Sequence, residues 1–284
     1  MSLQISNEEY HKRPELSSSD LKSILKNYNY WLYSKANRAE KDCFKFGTAY
    51  HTYILEQEKF FQENHILEDV NLSKNDSLIK AISSLDVAFN CEGMKNAELK
   101  ETYNELVERI TEEKNTISTS DFEKIKSMRE ALISSAPARK FLDKLDNAII
   151  EESFLFEVDG VPCKCRPDAI IDGWVVDLKT TQSASEKEFK KSIVKFDYHL
   201  SASFYLQGLK RNGIDAKGFI FLAQEKEEPY FSSVFALHAE ALFEGEKSFH
   251  EAIEIYKQNL GREFKPYYSP VIQEINLPAW AFKK

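Results

Sequence analysis

Hydrophobic residues recur at helical spacing near the start of the chain. Leu21, Ile24 and Leu25 follow residues 16–20, a segment that offers several helix N-capping side chains. We therefore expect a helix to begin in that segment. A second helical pattern of apolar residues runs from about 46 to 57.

The next part of the chain keeps the helical period. A short extended piece is expected around 65–67, and the apolar positions of residues 74–145 indicate helices throughout. Capping residues at 118–121 predict a new helix start, and Ala136-Pro137 predicts a break. We interpret 74–145 as a helical insertion or subdomain.

The period of the apolar positions changes from 3.6 to 2 near residue 148, which is typical of strands. The later pattern alternates between strands and helices and therefore predicts an α/β fold in one domain that spans 1–284. The expected strands lie at about 148–158, 161–171, 174–179, 217–223 and 231–237, and the expected helices at about 185–194, 199–211 and 239–260.

The composition agrees with a compact cytoplasmic protein. A hydrophobic content of 42%, with only 9 Gly and 8 Pro in 284 residues, excludes a disordered or low-complexity chain. Four cysteines are too few for a disulfide scaffold, and neither a secretory leader nor a membrane-spanning apolar run is evident. A formal net charge of -8 means that any nucleic-acid site must be a local positive surface.

Two carboxylates are expected to face each other on a hairpin. Asp172-Gly173 is a strong signal for a two-residue turn, which pairs Ala169 with Val176 and places Asp168 opposite Asp177. Like charges at directly opposed positions are destabilising and call for a neutralising partner.

Strand alternation supplies candidates for that partner. Lys179 shares the face of Asp177, and Lys164 and Arg166 are expected to share the face of Asp168. Paired hard oxygen ligands suit Mg²⁺, with Mn²⁺ as a substitute. The alternative is a surface hairpin whose acids are solvated or paired with these cations.

Such a site suits the hydrolysis of phosphodiesters. The ion would polarise the scissile phosphate and lower the pKa of a water molecule, with Asp168 and Asp177 as its ligands. Lys179 would orient that water or stabilise developing negative charge.

The residues around the hairpin resemble a known nuclease signature. Arg166-Pro167-Asp168 followed by Asp177-Leu178-Lys179 resembles the PD-(D/E)xK motif, and the segment 47–51, which ends at His51, is similar to the first motif of its RecB-type branch. Most of the chain, from Leu16 to Trp280, resembles the nuclease domain of the RecE family, known as exodeoxyribonuclease eight. Ser201 departs from that family, which usually has Gln at this position.

The resemblance implies a PD-(D/E)xK core, with a central mixed sheet flanked by helices and a helical insertion before the sheet. It implies His51 and the Leu178 carbonyl as further metal ligands, His51 as part of the catalytic set, and Arg166, Thr180 and Tyr205 as residues that contact DNA or support the ligands.

It also implies a function and partners. We expect a Mg²⁺-dependent exonuclease that resects the 5′ strand of linear duplex DNA in phage-type recombination, in the cytoplasm of a bacterial host. The expected partners are duplex DNA ends, a RecT-like single-strand annealing protein and further copies of the chain in a ring-like homo-oligomer. The alternatives are a DNA-binding recombination accessory protein without activity and an endonuclease on the same fold.

Overall fold

The computed structural model describes residues 2–37, 42–269 and 271–278. Twelve α-helices are formed in this part of the chain, and a short 3₁₀ helix covers Leu145–Asn147. The helices are α1 (Asn7–Lys12), α2 (Ser18–Lys26), α3 (Tyr28–Ala36), α4 (Asp42–Leu55), α5 (Gln57–Glu63), α6 (Asn75–Leu85), α7 (Asn96–Glu113), α8 (Thr119–Ser134), α9 (Ala136–Leu142), α10 (Glu186–Lys195), α11 (Tyr198–Arg211) and α12 (Ala239–Gln258).

The strands of the described residues form a five-stranded, a three-stranded and a two-stranded sheet. The largest has the order β10-β9-β8-β7-β4, and because β8 and β9 run parallel while its other pairs are antiparallel, it is mixed. The strands are β1 (Ser2–Leu3), β2 (Asn64–Leu67), β3 (Asn115–Ser118), β4 (Ile149–Ile150), β5 (Ser153–Val158), β6 (Val161–Cys165), β7 (Ala169–Ile171), β8 (Trp174–Thr181), β9 (Gly218–Glu225) and β10 (Ser232–Ala236).

Helices cover both faces of the five-stranded sheet. Val175 and Phe221 point to one face, where buried residues of α2, α10, α11 and α12 complete the core. Val176 and Leu222 point to the other face, which α4, α5, α8 and α9 cover. The predicted α/β class with a mixed sheet between helices is confirmed.

Several predicted elements are confirmed in detail. Ser17 caps α2 by accepting a hydrogen bond from the Asp20 amide, and Ser118 caps α8 in the same way. The chain breaks between α8 and α9, and Pro137 lies in the first turn of the new helix, where its missing N–H is tolerated. β2 forms at the expected extended piece.

Other elements differ from the prediction. The block 74–145 is not helical throughout, because β3 lies within it and pairs in parallel with β2. The strand expected at 161–171 is two strands, since β6 ends before Arg166-Pro167 and pairs with β5, whereas β7 pairs with β8. The strand expected at 148–158 is also divided, at Glu151, which has a positive φ of 50°.

The helical block packs in two parts. α8 and α9 belong to the layer that covers the sheet, whereas α6 and α7 have a separate apolar cluster around Leu78, Ile82, Cys91 and Leu99. In the described residues, no helix is both long and apolar enough to cross a bilayer.

Candidate metal centre

The β7–β8 hairpin has the predicted register. Asp172 and Gly173 have φ values of 51° and 79°, the left-handed conformation that a tight two-residue hairpin turn requires. Ala169 pairs with Val176, and Ile171 with Trp174. The position of Asp168 beside the middle of β8 therefore follows from this local turn.

The two strands differ in length, and this opens the site. β7 begins only at Ala169, while β8 continues to Thr181, so β7 provides no ladder partner opposite Leu178. Oδ2 of Asp168 accepts a hydrogen bond from the Leu178 amide at 2.7 Å. The Asp168 carboxylate thus accepts the Leu178 hydrogen bond that a backbone carbonyl of a neighbouring strand would otherwise accept.

Asp177 and Lys179 project from the same face of β8. The Lys179 ammonium contacts Oδ2 of Asp177 and also donates to the Leu178 carbonyl at 3.3 Å. Asp177 is only 5% exposed, and its Oδ2 atom lies against the Lys179 ammonium. A buried carboxylate suits cations as partners, a metal ion as well as an ammonium group.

Helix α4 brings His51 to the same place. Its Nδ1 atom lies 3.4 Å from Oδ2 of Asp168, and its ring also interacts with the Leu178 backbone. The preceding residue, Tyr50, is fully buried and donates from its hydroxyl to Oε1 of Gln224 at 2.5 Å, which anchors the helix to β9.

Glu151 is a site residue that the sequence did not reveal. Ligand atoms of His51, Glu151 and Asp168 all lie within 4.8 Å of one another. The Glu151 amide donates to the Asp168 carbonyl at 3.1 Å, so the backbone itself holds the two acids side by side. The only available signal was the Glu151-Glu152 pair, which interrupts the apolar alternation between Ile150 and Phe154.

The pKa values of the three acids are raised mainly by burial. Burial raises the pKa of Asp168, against the opposing effect of Lys179. Burial likewise raises the pKa of Asp177, although Lys179 opposes the shift. Burial and the neighbouring Asp168 raise the pKa of Glu151 to about 8.

The basic groups respond to the same surroundings. Burial and the Lys179 charge lower the pKa of His51 to about 4, so its imidazole is neutral and able to ligate a metal at neutral pH. Burial lowers the pKa of Lys179, but Asp177 and Asp168 outweigh that effect and raise it overall.

These donors fit a divalent cation. Carboxylate oxygens of Asp168, Asp177 and Glu151, the Leu178 carbonyl and the neutral His51 imidazole are the ligand types that Mg²⁺ and Mn²⁺ accept. The raised pKa values of the carboxyl groups mean that the protein alone does not neutralise them fully, and a bound cation would do so.

The expected face for Lys164 and Arg166 is corrected by the structure. Nζ of Lys164 donates to the Tyr10 carbonyl at 2.6 Å, and Arg166 donates to Ser153 Oγ at 2.8 Å and to the Ile5 carbonyl at 2.8 Å. Strand alternation does not carry over to Asp168, because β6 ends at Cys165 and the chain changes sheets. Both cations therefore hold the N-terminal segment, although Arg166 remains near enough to Glu151 to lower its pKa.

Tyr205 and Thr180 differ in their relation to the acids. Tyr205 hydrogen-bonds Ser18, and its pKa is raised by burial and further by the charges of Asp177 and Asp168, so its hydroxyl lies close to the site. Thr180 follows Lys179 on β8 and, by alternation, points to the face opposite Asp177. Their roles toward DNA stay predictions.

Comparison with solved structures finds a similar fold over nearly the whole chain. A protein from Eubacterium rectale whose crystal structure is named "Putative exonuclease" is 12% identical, with a TM-score of 0.58 over 95% of this chain and 97% of that chain. SSO0001, a protein of known crystal structure, is 15% identical over 80% of this chain and 91% of that chain, with a TM-score of 0.27. No curated protein matches the sequence.

The sequence itself matches a family over nearly its full length. Residues 17–277 match the family described as "PDDEXK-like domain of unknown function (DUF3799)". This span contains the β7–β8 hairpin, His51 and Glu151. The chain therefore belongs to this family of PDDEXK-like domains.

Proposed function

We propose that the protein is a metal-dependent deoxyribonuclease that degrades linear duplex DNA as an exonuclease. The observation that carries this proposal is the convergence of Asp168, Asp177, Lys179 and His51 at the open end of one hairpin in a PDDEXK-like fold. The exonuclease specificity is supported by the resemblance to RecE and by the name of the Eubacterium rectale protein of similar fold.

The chain's own residues have distinct parts in this proposal. Asp168, Asp177, His51, Glu151 and the Leu178 carbonyl would hold Mg²⁺ or Mn²⁺. A divalent ion supplies Lewis acidity toward the scissile phosphate and toward water. Asp177 is buried and Asp168 and Glu151 are partly buried, so a cation held by these carboxylates would be screened by water less than one at the surface.

Lys179 acts as a fixed positive charge in this proposal. Its raised pKa keeps the ammonium protonated at neutral pH, so it does not serve as the proton acceptor for the attacking water. Its contacts with Asp177 and the Leu178 carbonyl place it where it can donate a hydrogen bond to water or to a phosphate oxygen.

The decisive experiment compares linear with covalently closed duplex DNA. The wild-type protein should release nucleotides from the linear form with Mg²⁺ or Mn²⁺ and leave the closed circle intact. Cleavage of circles would favour the endonuclease alternative. DNA binding without cleavage in any divalent ion would favour the accessory protein.

A matched pair of variants tests the assignment of the site. Asp177→Asn should lower the rate by at least about 100-fold, a loss typical for removal of one electrostatic group from an active site. It should still fold, because the raised pKa of Asp177 shows that its surroundings do not favour the charge. Asp172→Asn, at the exposed turn of the same hairpin, should keep the rate, since Asn tolerates the left-handed conformation. Activity of Asp177→Asn that persists in EDTA would refute the mechanism.

We also propose the finer properties that the resemblance implies: 5′-strand resection, a RecT-like annealing partner and a homo-oligomer. Labels at the 5′ or the 3′ end of a strand distinguish the polarities, because 5′-strand resection releases the 5′ label early and the opposite polarity releases the 3′ label early. Light scattering of the purified chain measures its oligomeric state.

A further inference from the structure

A second lysine lies beside the metal centre. Lys22 is carried by α2, whose position is set by Leu21 and Ile24, both buried in the core at 0% and 1% exposure. Its Nζ atom is 5.3 Å from the centroid of the Tyr198 ring, and Nζ of Lys179 is 5.4 Å from the same centroid. Two ammonium groups from distant parts of the sequence therefore share one aromatic ring.

Lys22 differs from its neighbours in forming no ion pair with a carboxylate of the described residues, although the charges of Asp177 and Asp197 act on it from further away. Lys179 contacts Asp177, and Lys26, one turn further along α2, lies 3.9 Å from Asp197. Within the described part of the chain, no carboxylate forms an ion pair with Lys22. The half-buried Lys22 ammonium instead lies near the Lys179 ammonium, and the repulsion between these two charges is destabilising in the protein without DNA.

The pKa of Lys22 agrees with this placement. Burial, followed by the charge of Lys179, lowers it to about 8, against the opposing charges of Asp177 and Asp197. An anion placed between the two lysines would relieve their repulsion, and Lys is a common point-charge ligand for phosphate. Because Lys179 also contacts the Leu178 carbonyl at the metal centre, an anion bound by Lys22 would lie next to the reacting group.

We propose that Lys22 binds a backbone phosphodiester of the DNA strand being hydrolysed, adjacent to the scissile phosphate. This inference rests on the proposed nuclease function and adds a substrate-binding residue to it. Tyr198 supports the site as the shared surface on which both ammonium groups lie, and its ring also stacks on the exposed Phe196 at a centroid distance of 5.5 Å. The proposed ligand of Lys22 is an internal phosphodiester of the strand. The alternative ligand is the phosphate at the end of a DNA strand, which presents the same negatively charged oxygen acceptors.

The test measures DNA binding as a function of salt. Lys22→Met keeps the length and apolar character of the side chain, Lys22→Arg restores the charge, and Lys26→Met is the control on the same helix. Binding of a labelled duplex is measured by fluorescence anisotropy, with Ca²⁺ replacing Mg²⁺ and with the DNA shown to stay intact. Lys22→Met should weaken binding about 10-fold and reduce the slope of log K against log[salt] by about 1.

The control variants distinguish the loss of a DNA contact from a change in the packing of α2. Lys22→Arg should recover the salt slope, and Lys26→Met should retain the wild-type slope. If Lys22→Met keeps the wild-type affinity and slope while the wild-type protein binds and cleaves DNA, the inference is overturned and the proposed function stands. If the wild-type protein neither binds nor cleaves DNA, both fail together.

Duplexes with 5′-phosphate and 5′-hydroxyl ends distinguish the two sources of phosphate. An equal loss for both ends supports an internal diester. A loss confined to the phosphorylated end would overturn the assignment to an internal phosphate.

Discussion

Single residues of the candidate metal centre are held in unfavourable states. Asp168, Asp177 and Glu151 have raised pKa values, and Glu151 has a left-handed backbone that non-glycine residues rarely adopt. Strain and crowded charge of this kind are concentrated at functional sites, because the free energy of ligand binding can offset their destabilising effect. Glu151 is therefore the residue whose protonation should report ion binding most directly.

The pH dependence of stability should be lost when an ion is bound. With a pKa of about 8 against an ordinary value of 4.5, the folded protein without metal binds more protons at Glu151 than the unfolded chain. Its stability should therefore fall as the pH rises through that window. An ion requires the ionised carboxylate, so with Mn²⁺ this loss should disappear and binding should release protons.

Thermal unfolding in EDTA and in Mn²⁺, between pH 5 and pH 9, measures this linkage. Glu151→Gln should flatten the profile in EDTA and weaken Mn²⁺ binding in calorimetry. Glu152→Gln, at the adjacent position, is the control. A profile in EDTA that is identical for Glu151→Gln and the wild type would contradict the prediction.

At the scale of elements, close packing of two helices holds the one that carries Tyr198. Helix α11, which begins at Tyr198, packs against α12 at Gly245. A Cβ atom at Gly245 would lie 2.1 Å from the His199 carbonyl oxygen, so the two helices could not keep their separation. On α4, a Cβ atom at Gly47 would meet nothing within 4 Å.

These two helical glycines should respond oppositely to alanine. Gly245→Ala should lower the free energy of unfolding by about 1–3 kcal/mol, because overpacking forces the backbones apart. Gly47→Ala should raise it by up to about 1 kcal/mol, because alanine is the better helix former. Urea denaturation measures both changes. A loss for Gly47→Ala as large as that for Gly245→Ala would contradict this account of the packing.

At the scale of the whole molecule, the apolar clusters differ in what they support. The clusters on the two faces of the sheet hold the strands and helices that carry the candidate metal centre. The α6–α7 cluster is small and separate, so we expect those two helices to open without unfolding of the sheet.

Hydrogen exchange tests that independence. Leu99→Ala, which removes a fully buried side chain from the α6–α7 cluster, should reduce amide protection in 75–113 and leave the protection of β8 and the affinity for Mn²⁺ unchanged. Phe221→Ala, in the sheet core, should reduce protection throughout the molecule. Equal loss of protection at β8 in both variants would show that the clusters unfold together.

Local sequence determined much of this protein. The Asp172-Gly173 turn set the hairpin register because a two-residue turn leaves few pairings, and the capping residues at Ser17 and Ser118 marked the starts of α2 and α8. The approach of His51 to the acids was available only through family resemblance, because α4 and β7 are distant in the chain.

Tertiary structure decided the rest. Strand breaks at Glu151 and Arg166-Pro167 moved β5 and β6 to a separate sheet, and this turned Lys164 and Arg166 toward the N-terminal segment. Glu151 and Lys22 joined the site through contacts between distant segments. Such contacts leave no periodic signal in the sequence, because they depend on how whole elements pack and not on the spacing of neighbouring residues.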